Sequence, residues 1–370
     1  MKNLMLSASK TVVNPWYKDL FKDLTKTFRV HAVFISLIVL YMFALIVIAS
    51  LLKVIHKISF SLYPEIIPLT AMWFIIGFFV SHAIYVMVFV RPKKLTKYII
   101  KDLRTKYLKK ERLLIGLPII LFMPLFMSTF TSFKTLIPVI NPFSWDPAFS
   151  RFDAMIHGGH HPWQLCQPIL GHHILTSGIN FFYNLWLFVL FAILYWQTFS
   201  LSDLRLRMQF FLSYLLAWIL LGTIAATIFS SAGPCYYDRV VKGDNTYKPL
   251  MDYLDDTKKS SPVWALDTQE MLWKAYKENK TELGSGISAM PSMHVAMALL
   301  FALLGWRKNR PIGIIFSIYA VIIMVGSIHL GWHYAIDGYA GILGTLLIWH
   351  CVGWFLNAEK FRFSFSRKFI

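Results

Sequence analysis

Eight apolar runs constrain this 370-residue chain more than any other feature, at roughly 30–52, 66–90, 113–137, 174–198, 208–230, 291–306, 311–330 and 337–356. About 20 helical residues cross a bilayer. In lipid the backbone must satisfy its own hydrogen bonds, so an open chain crosses as helix. The expected fold class is therefore all-α, a polytopic membrane helical bundle of about eight transmembrane helices. Composition agrees: 56% of the residues are apolar, against the 45–50% usual for a soluble domain, and the mean hydropathy is +0.54.

The net charge of +18 could in principle mark a nucleic-acid binder. The charges cluster between apolar runs, however, as orientation signals do, so no nucleic-acid partner is expected. The stretch "RPKKLTKYIIKDLRTKYLKKER" holds ten Lys/Arg against two acidic residues, which assigns it to the cytoplasm. With eight spans both termini are then cytoplasmic too. The short links "LSDLRLR" and "WRKNRP" and the tail "KFRFSFSRKF" fall on the same side, and all are basic. Loops 53–65, 138–173, 231–290 and 331–336 fall outside.

No internal repeat and no linker splits off a soluble domain. The chain divides into a basic cytoplasmic segment (1–29), two helices with a basic interfacial segment (30–112), a membrane core (113–356) and a cytoplasmic tail (357–370). About 29 mostly polar residues precede the first long run, which is not the pattern of a cleavable signal. The stretch "WYKDLFKDLTKTFRV" within them is basic and amphipathic and suits the membrane surface. Residues 141–171 mix Trp, Phe and Pro with Asp and His, as in a partly helical interfacial cap. Together with 231–290 they offer material for a lid. Cys166, Cys235 and Cys351 show no metal or redox spacing. A Cys166–Cys235 disulfide is conceivable if both lie on one side.

The chemistry gathers in two places. In "SGISAMPSMHVAM", residues 285–297, Pro291 takes the first helical position and Ser292 the first turn. A helix start leaves free N–H groups suited to phosphate, although a first-turn Ser also serves its own backbone. In "GSIHLGWHYAIDG", residues 326–338, His333 and Asp337 stand four apart on one helix face. The carboxylate can hold the imidazole's Nδ1–H and leave Nε2 as nucleophile or base. His294 and His333 lie at the outer ends of their spans and can meet at one depth. Ionisable groups near a membrane are functional by default. Two histidines, one oriented by a carboxylate, suit phosphoryl transfer: His333 attacks phosphorus, His294 protonates the leaving oxygen, and Ser292 with nearby cations holds the phosphate oxygens.

His329, His333 and Asp337 also form H-x3-H-x3-D, a conceivable metal set. The zinc-protease pattern fails because Leu330 replaces its Glu. No metal and no cofactor is expected. His160, His161, His172 and His173 read as interfacial loop residues, and Asp146, Arg151 and Asp153 either order the first outer loop or touch a polar headgroup. Lys134, near the outer end of the third span, either snorkels outward or meets the phosphate.

"PSMH" (291–294) resembles the second signature, usually Pro-Ser-Gly-His, of the type-2 phosphatidic acid phosphatase superfamily, and "SIHLGWHYAID" (327–337) resembles its third, which ends in His-x-x-x-Asp. The resemblance covers spans three to eight and implies a six-helix phosphatase-type core. It also implies His333 as nucleophile, Asp337 as its partner, His294 as general acid and Ser292 as a phosphate ligand. The chain departs from the pattern at Gly326 and Ser327, where the third signature usually has Ser-Arg, and at Met293, where Gly is usual. These departures, with "GGHHPWQL" in the first outer loop, are similar to the sphingolipid phosphotransferase branch, which includes fungal inositol phosphorylceramide synthase. The first signature, Lys-x6-Arg-Pro, has no full match. Its candidates are "KGDNTYKP", Lys242 and Lys248, and "GPCYYDRV" with Arg239, while "RP" at Arg91–Pro92 lies on the cytoplasmic side. Ser327 stands where that signature's Arg would be and joins the expected substrate ligands.

The function implied is metal-independent transfer of a phospho-headgroup from a membrane lipid to an alcohol acceptor at the extracytoplasmic leaflet. The alternative is a lipid phosphate or polyprenyl pyrophosphate phosphatase with the same catalytic residues. The expected partners are the bilayer, the lipid donor and the acceptor, and the sequence leaves the oligomeric state open.

Overall fold

A computed structural model describes residues 16–357. The segments 1–15 and 358–370, with most of the expected tail, lie outside the described residues. Those described fold mostly into helices and contain no strand. The membrane-length elements are α2 (Ala32–Leu51), α3 (Leu62–Tyr85), α5 (Lys110–Ile140), α8 (His173–Thr198), α9 (Leu204–Ile219), α14 (Met293–Lys308), α15 (Arg310–His329) and α16 (Ala335–Phe355). The shorter ones are α1 (Trp16–Val30), α4 (Leu95–Asp102), α6 (Asp146–Ile156), α7 (Pro162–Leu170), α10 (Ala226–Ile228), α11 (Tyr237–Val240), α12 (Lys248–Ser260) and α13 (Trp264–Lys277). α9 runs through a π-helical turn, Leu220–Ala225, into α10 and makes one span.

Among the described residues seven helices are long and apolar enough to cross a bilayer, so the chain is an integral membrane protein. The eighth expected span, α14, has only 16 residues. At 1.5 Å per residue it is about 24 Å long. It crosses the bundle all the same. A single residue, Asn309, joins it to α15 at one end, and at the other Ser292 N donates to Asp337 O at 2.9 Å, level with the start of α16. α14 packs against α8, α9, α15 and α16 and is apolar nearly all round, as a central helix must be. Gly341 permits a close approach of α16 to the start of α14: a Cβ there would lie 2.7 Å from the Ser292 carbonyl oxygen.

The loops sort onto two ends, as grouped from the sequence. At one end Ser59 N donates to Ser132 Oγ (3.0 Å), Thr281 Oγ1 to the Lys57 carbonyl (2.7 Å) and Ala289 N to the Ser231 carbonyl (2.9 Å). At the other, Lys308 Nζ donates to Ser202 Oγ (2.8 Å), Arg205 to the Gly353 carbonyl (3.3 Å), and Lys110 pairs with Asp23 (2.7 Å). The first is the cap end, covered by α6, α7 and α11 to α13. The second carries the basic stretch 91–112. All three cysteines are free, so the conceivable Cys166–Cys235 bridge is absent.

Candidate active site

The two motifs meet at the cap end because α14 and α16 start side by side. Pro291 does not open the helix as expected. Ser292 is the N-cap, its Oγ accepting from Val295 N at 3.5 Å, and Met293 is the first helical residue. His294 follows within the first turn. Its ring stacks on Tyr183 (4.7 Å between centroids, 25° between planes) and packs against Trp186 (4.4 Å). Trp186 Nε1 donates to the His294 carbonyl at 3.1 Å. The His333 ring stands edge-on to that of His294 with centroids 6.1 Å apart.

His333 Nδ1 lies 2.8 Å from the Ala289 carbonyl and 3.4 Å from Asp337 Oδ2. A carbonyl only accepts, so this nitrogen carries the proton, and in the neutral imidazole the lone pair is then on Nε2. Asp337 is fully buried. Its Oδ2 accepts from Tyr334 N at 3.0 Å, and its Oδ1 has no hydrogen-bond partner among the described residues. An unpaired buried acceptor costs about 1–3 kcal/mol, more when charged. The orphan oxygen sits in the group that would compensate a positive charge arising on His333.

Both histidines line a cavity of about 400 Å³ between α5, α8, α9 and the start of α14. Its floor is apolar and aromatic, with Phe126, Phe130, Tyr214 and Trp218. Lys134 is the one Lys or Arg in its lining, and no carboxylate lines it. Lys134 has no ion-pair or hydrogen-bond partner among the described residues. Segment 283–288 covers it. Gly286, at φ +92°, lies so close that a Cβ would stand 2.8 Å from Lys134 Cγ. Residues 141–171 do not line the cavity. Its cover comes from α13 and 283–288, so the lid expected from both outer loops is built by the second alone.

The other expected ligands do not converge here. Ser292 is fully buried as a cap and does not line the cavity. Ser327 donates its hydroxyl to the Met324 carbonyl at 2.8 Å and serves through its own carbonyl, which accepts from Trp332 N and His333 N at 3.0 Å each. Arg239 pairs with Glu270 at 2.9 Å and lies over the Trp273 ring at 5.2 Å. Lys248 pairs with Asp252 at 3.0 Å, and Lys242 is exposed. Loop cations find loop carboxylates, and the cavity is served from α5 instead. His329 turns to Thr176 Oγ1 at 2.9 Å, away from His333, so the H-x3-H-x3-D set does not converge on a metal position. His161 and His173 face Tyr247 and Ser260 respectively.

Two groups flank His333 that the motif reading left as loop residues. Tyr334 OH donates to Asp146 at 2.9 Å, and burial, with Asp146 beside it, holds that phenol well above its ordinary value. Asp153 accepts from the amides of Ala335 (2.9 Å) and Ile336 (3.2 Å). Burial pushes its carboxyl up, and those amides and His157 pull it back.

Comparison with known proteins gives one result. The family model of the PAP2 superfamily matches residues 147–351, more than half of the chain, from α6 to α16. Lys134 lies before the matched region. No curated protein and no solved structure matched the chain. The chain belongs to the PAP2 superfamily, which supports a phosphatase-type lipid phosphoesterase activity.

Proposed function

We propose that the protein transfers a phospho-headgroup from a membrane lipid phosphodiester to an alcohol through a phospho-histidine on His333, at the extracytoplasmic leaflet. The observation that carries this reading is the cavity itself: two histidines, one unpaired lysine and no carboxylate on an aromatic floor. The basic stretch 91–112 at the opposite end favours the cytoplasm there and the outer leaflet at the cap.

Nε2 of His333 attacks phosphorus, and the bond from phosphorus to the lipid oxygen breaks. His294 gives that oxygen its proton, and Lys134 holds a non-bridging oxygen. The headgroup stays on phosphorus, now bonded to Nε2, and Asp337 balances the charge on the imidazole. The acceptor's hydroxyl then loses its proton to His294 as its oxygen attacks phosphorus, and the P–N bond breaks. The lipid alcohol leaves after the first half, the new phosphodiester after the second, and the enzyme returns unchanged.

Charge favours the diester. A phosphodiester carries one negative charge, and Lys134 is the one Lys or Arg side chain that faces it, with His294 adding a second positive charge only while it holds the proton it later donates. A monoester dianion would leave a charge uncompensated in an apolar site whenever His294 is neutral, a cost of several kcal/mol. The same single-cation pocket, with Gly326 and Ser327 in place of Ser-Arg, supports placement near the sphingolipid phosphotransferases, of the inositol phosphorylceramide synthase type. Hydrolysis is the alternative, with water in place of the alcohol.

The test is purified protein in mixed micelles with phosphatidylinositol or phosphatidic acid, with and without a ceramide, following inorganic phosphate and new lipid together. Transfer predicts faster phosphatidylinositol loss and a new phospholipid when the ceramide is present. Full-rate phosphate release from phosphatidic acid without alcohol, and no new lipid with it, would assign the protein as a phosphatase.

A further inference from the structure

α6 turns residues at i, i+3, i+4 and i+7 into the protein: Asp146, Phe149, Ser150 and Asp153, with the two carboxylates each 1% exposed. A buried carboxylate is costly unless its oxygens are saturated. Asp146 Oδ1 accepts from Ser231 Oγ (2.8 Å), Gly233 N (2.8 Å) and Tyr334 OH (2.9 Å), and Oδ2 accepts from Ala232 N (2.9 Å). Asp153 takes the two amides of Ala335 and Ile336, which are the first of α16 and would otherwise be orphan donors of a helix start. It caps that helix from another element and complements its positive end.

Both carboxylates lead to the same imidazole. Asp146 fixes the turn 231–233. The Ser231 carbonyl there accepts from Ala289 N at 2.9 Å, and the Ala289 carbonyl accepts the proton of His333 Nδ1 at 2.8 Å. Asp146 also holds Tyr334, the residue after His333, and Asp153 holds the next two. The orientation of His333 is therefore set from two sides by one short helix that does not touch the cavity.

We propose that Asp146 and Asp153 are positioning residues for His333, holding its Nε2 toward the cavity through the Ser231–Ala289 relay and through the start of α16. This rests on the reading of His333 as the nucleophile. A displacement of about 1 Å at a reacting group can cost roughly a hundredfold in rate, whereas the cavity that binds substrate is untouched.

The readout is p-nitrophenol release from bis(p-nitrophenyl) phosphate, a diester whose leaving group needs no acid, with thermal stability measured on each protein. Asp146→Asn and Asp153→Asn should each lower kcat about 10- to 100-fold with KM within twofold. Phe149→Leu, on the same face, alters packing and keeps both carboxylates. It should lower Tm and leave kcat within twofold. Should an Asp variant fail to fold, Tyr334→Phe removes one hydroxyl from Asp146 and should lower kcat severalfold at constant KM. Unchanged kcat in the Asp variants and in Tyr334→Phe would overturn the proposal, as would a kcat loss in Phe149→Leu matching theirs at equal Tm. Full turnover in His333→Ala would instead remove the nucleophile reading. A dead His333→Ala beside fully active Asp variants would remove only the positioning role.

Discussion

Arg207 and Lys134 both stand on membrane-spanning helices, and they are treated in opposite ways. Arg207, 1% exposed near the basic end, donates to the carbonyls of Gln197 (2.9 Å), Ile115 (2.8 Å) and Thr198 (3.1 Å) and to His31 Nε2 (2.8 Å). His31 completes the network by donating from Nδ1 to the Thr27 carbonyl at 2.8 Å. No carboxylate is involved: the guanidinium fork gathers the C-terminal carbonyls of α8 and ties α2, α5 and α9 to them. Lys134 has no such partner and faces a cavity beside two histidines. A saturated cation in a membrane bundle is a structural tie. In the proposed mechanism the unsaturated one meets the anion that arrives with the substrate.

Substitution should separate the two. Lys134→Met keeps most of the unbranched side chain and removes the charge. It should lower kcat/KM for a phosphodiester about 10²- to 10³-fold, the scale for deleting one electrostatic stabiliser, and leave Tm unchanged or higher. Arg207→Met should do the reverse. It removes four buried hydrogen bonds that tie α2, α5, α8 and α9 together and leaves an apolar side chain against polar partners, each lost partner costing on the order of 1–3 kcal/mol, so the protein should unfold well below wild type. Whatever folds should retain kcat within a few-fold. Activity assays and thermal unfolding on both variants decide this, and a stable, inactive Arg207→Met beside an unstable, active Lys134→Met would invert the comparison.

The smallest effect belongs to the exposed cations. Arg239→Gln breaks a surface pair with Glu270, worth at most about 1 kcal/mol in such settings. It should leave kcat/KM within twofold. A hundredfold loss would mean that Arg239 swings into the cavity during turnover and shares the phosphate with Lys134.

The comparison also marks what a linear reading can reach. Hydropathy located every long helix within a few residues, because burial in lipid is a local property of composition. It even located α14, whose 16 residues are short for a span, because the helix is shielded on all sides by others. That His294, His333 and Asp337 would come together was legible from motif spacing. The cation that faces their cavity was not. Arg239, Lys242 and Lys248 stood in the right loop, but Glu270 and Asp252, which occupy two of them, are identified only by folding. Lys134 was visible as a lone charge in an apolar run, yet whether its helix face meets the cavity depends on α8 and α14. Asp146 and Asp153 stood out as groups that order the first outer loop or touch a headgroup, but their partners at 231–233 and 334–336, far along the chain, were hidden for the same reason.

A covalent intermediate on His333 distinguishes the proposed mechanism from direct displacement. Purified protein should be mixed with a lipid phosphodiester, quenched in base on the timescale of one turnover, digested and read by peptide mass. A headgroup-phosphoryl adduct should appear on the peptide containing His333, build up before product in the absence of an alcohol, decay when one is added, and be missing in His333→Ala. Steady turnover with no adduct on that peptide, persisting in His333→Ala, would contradict it.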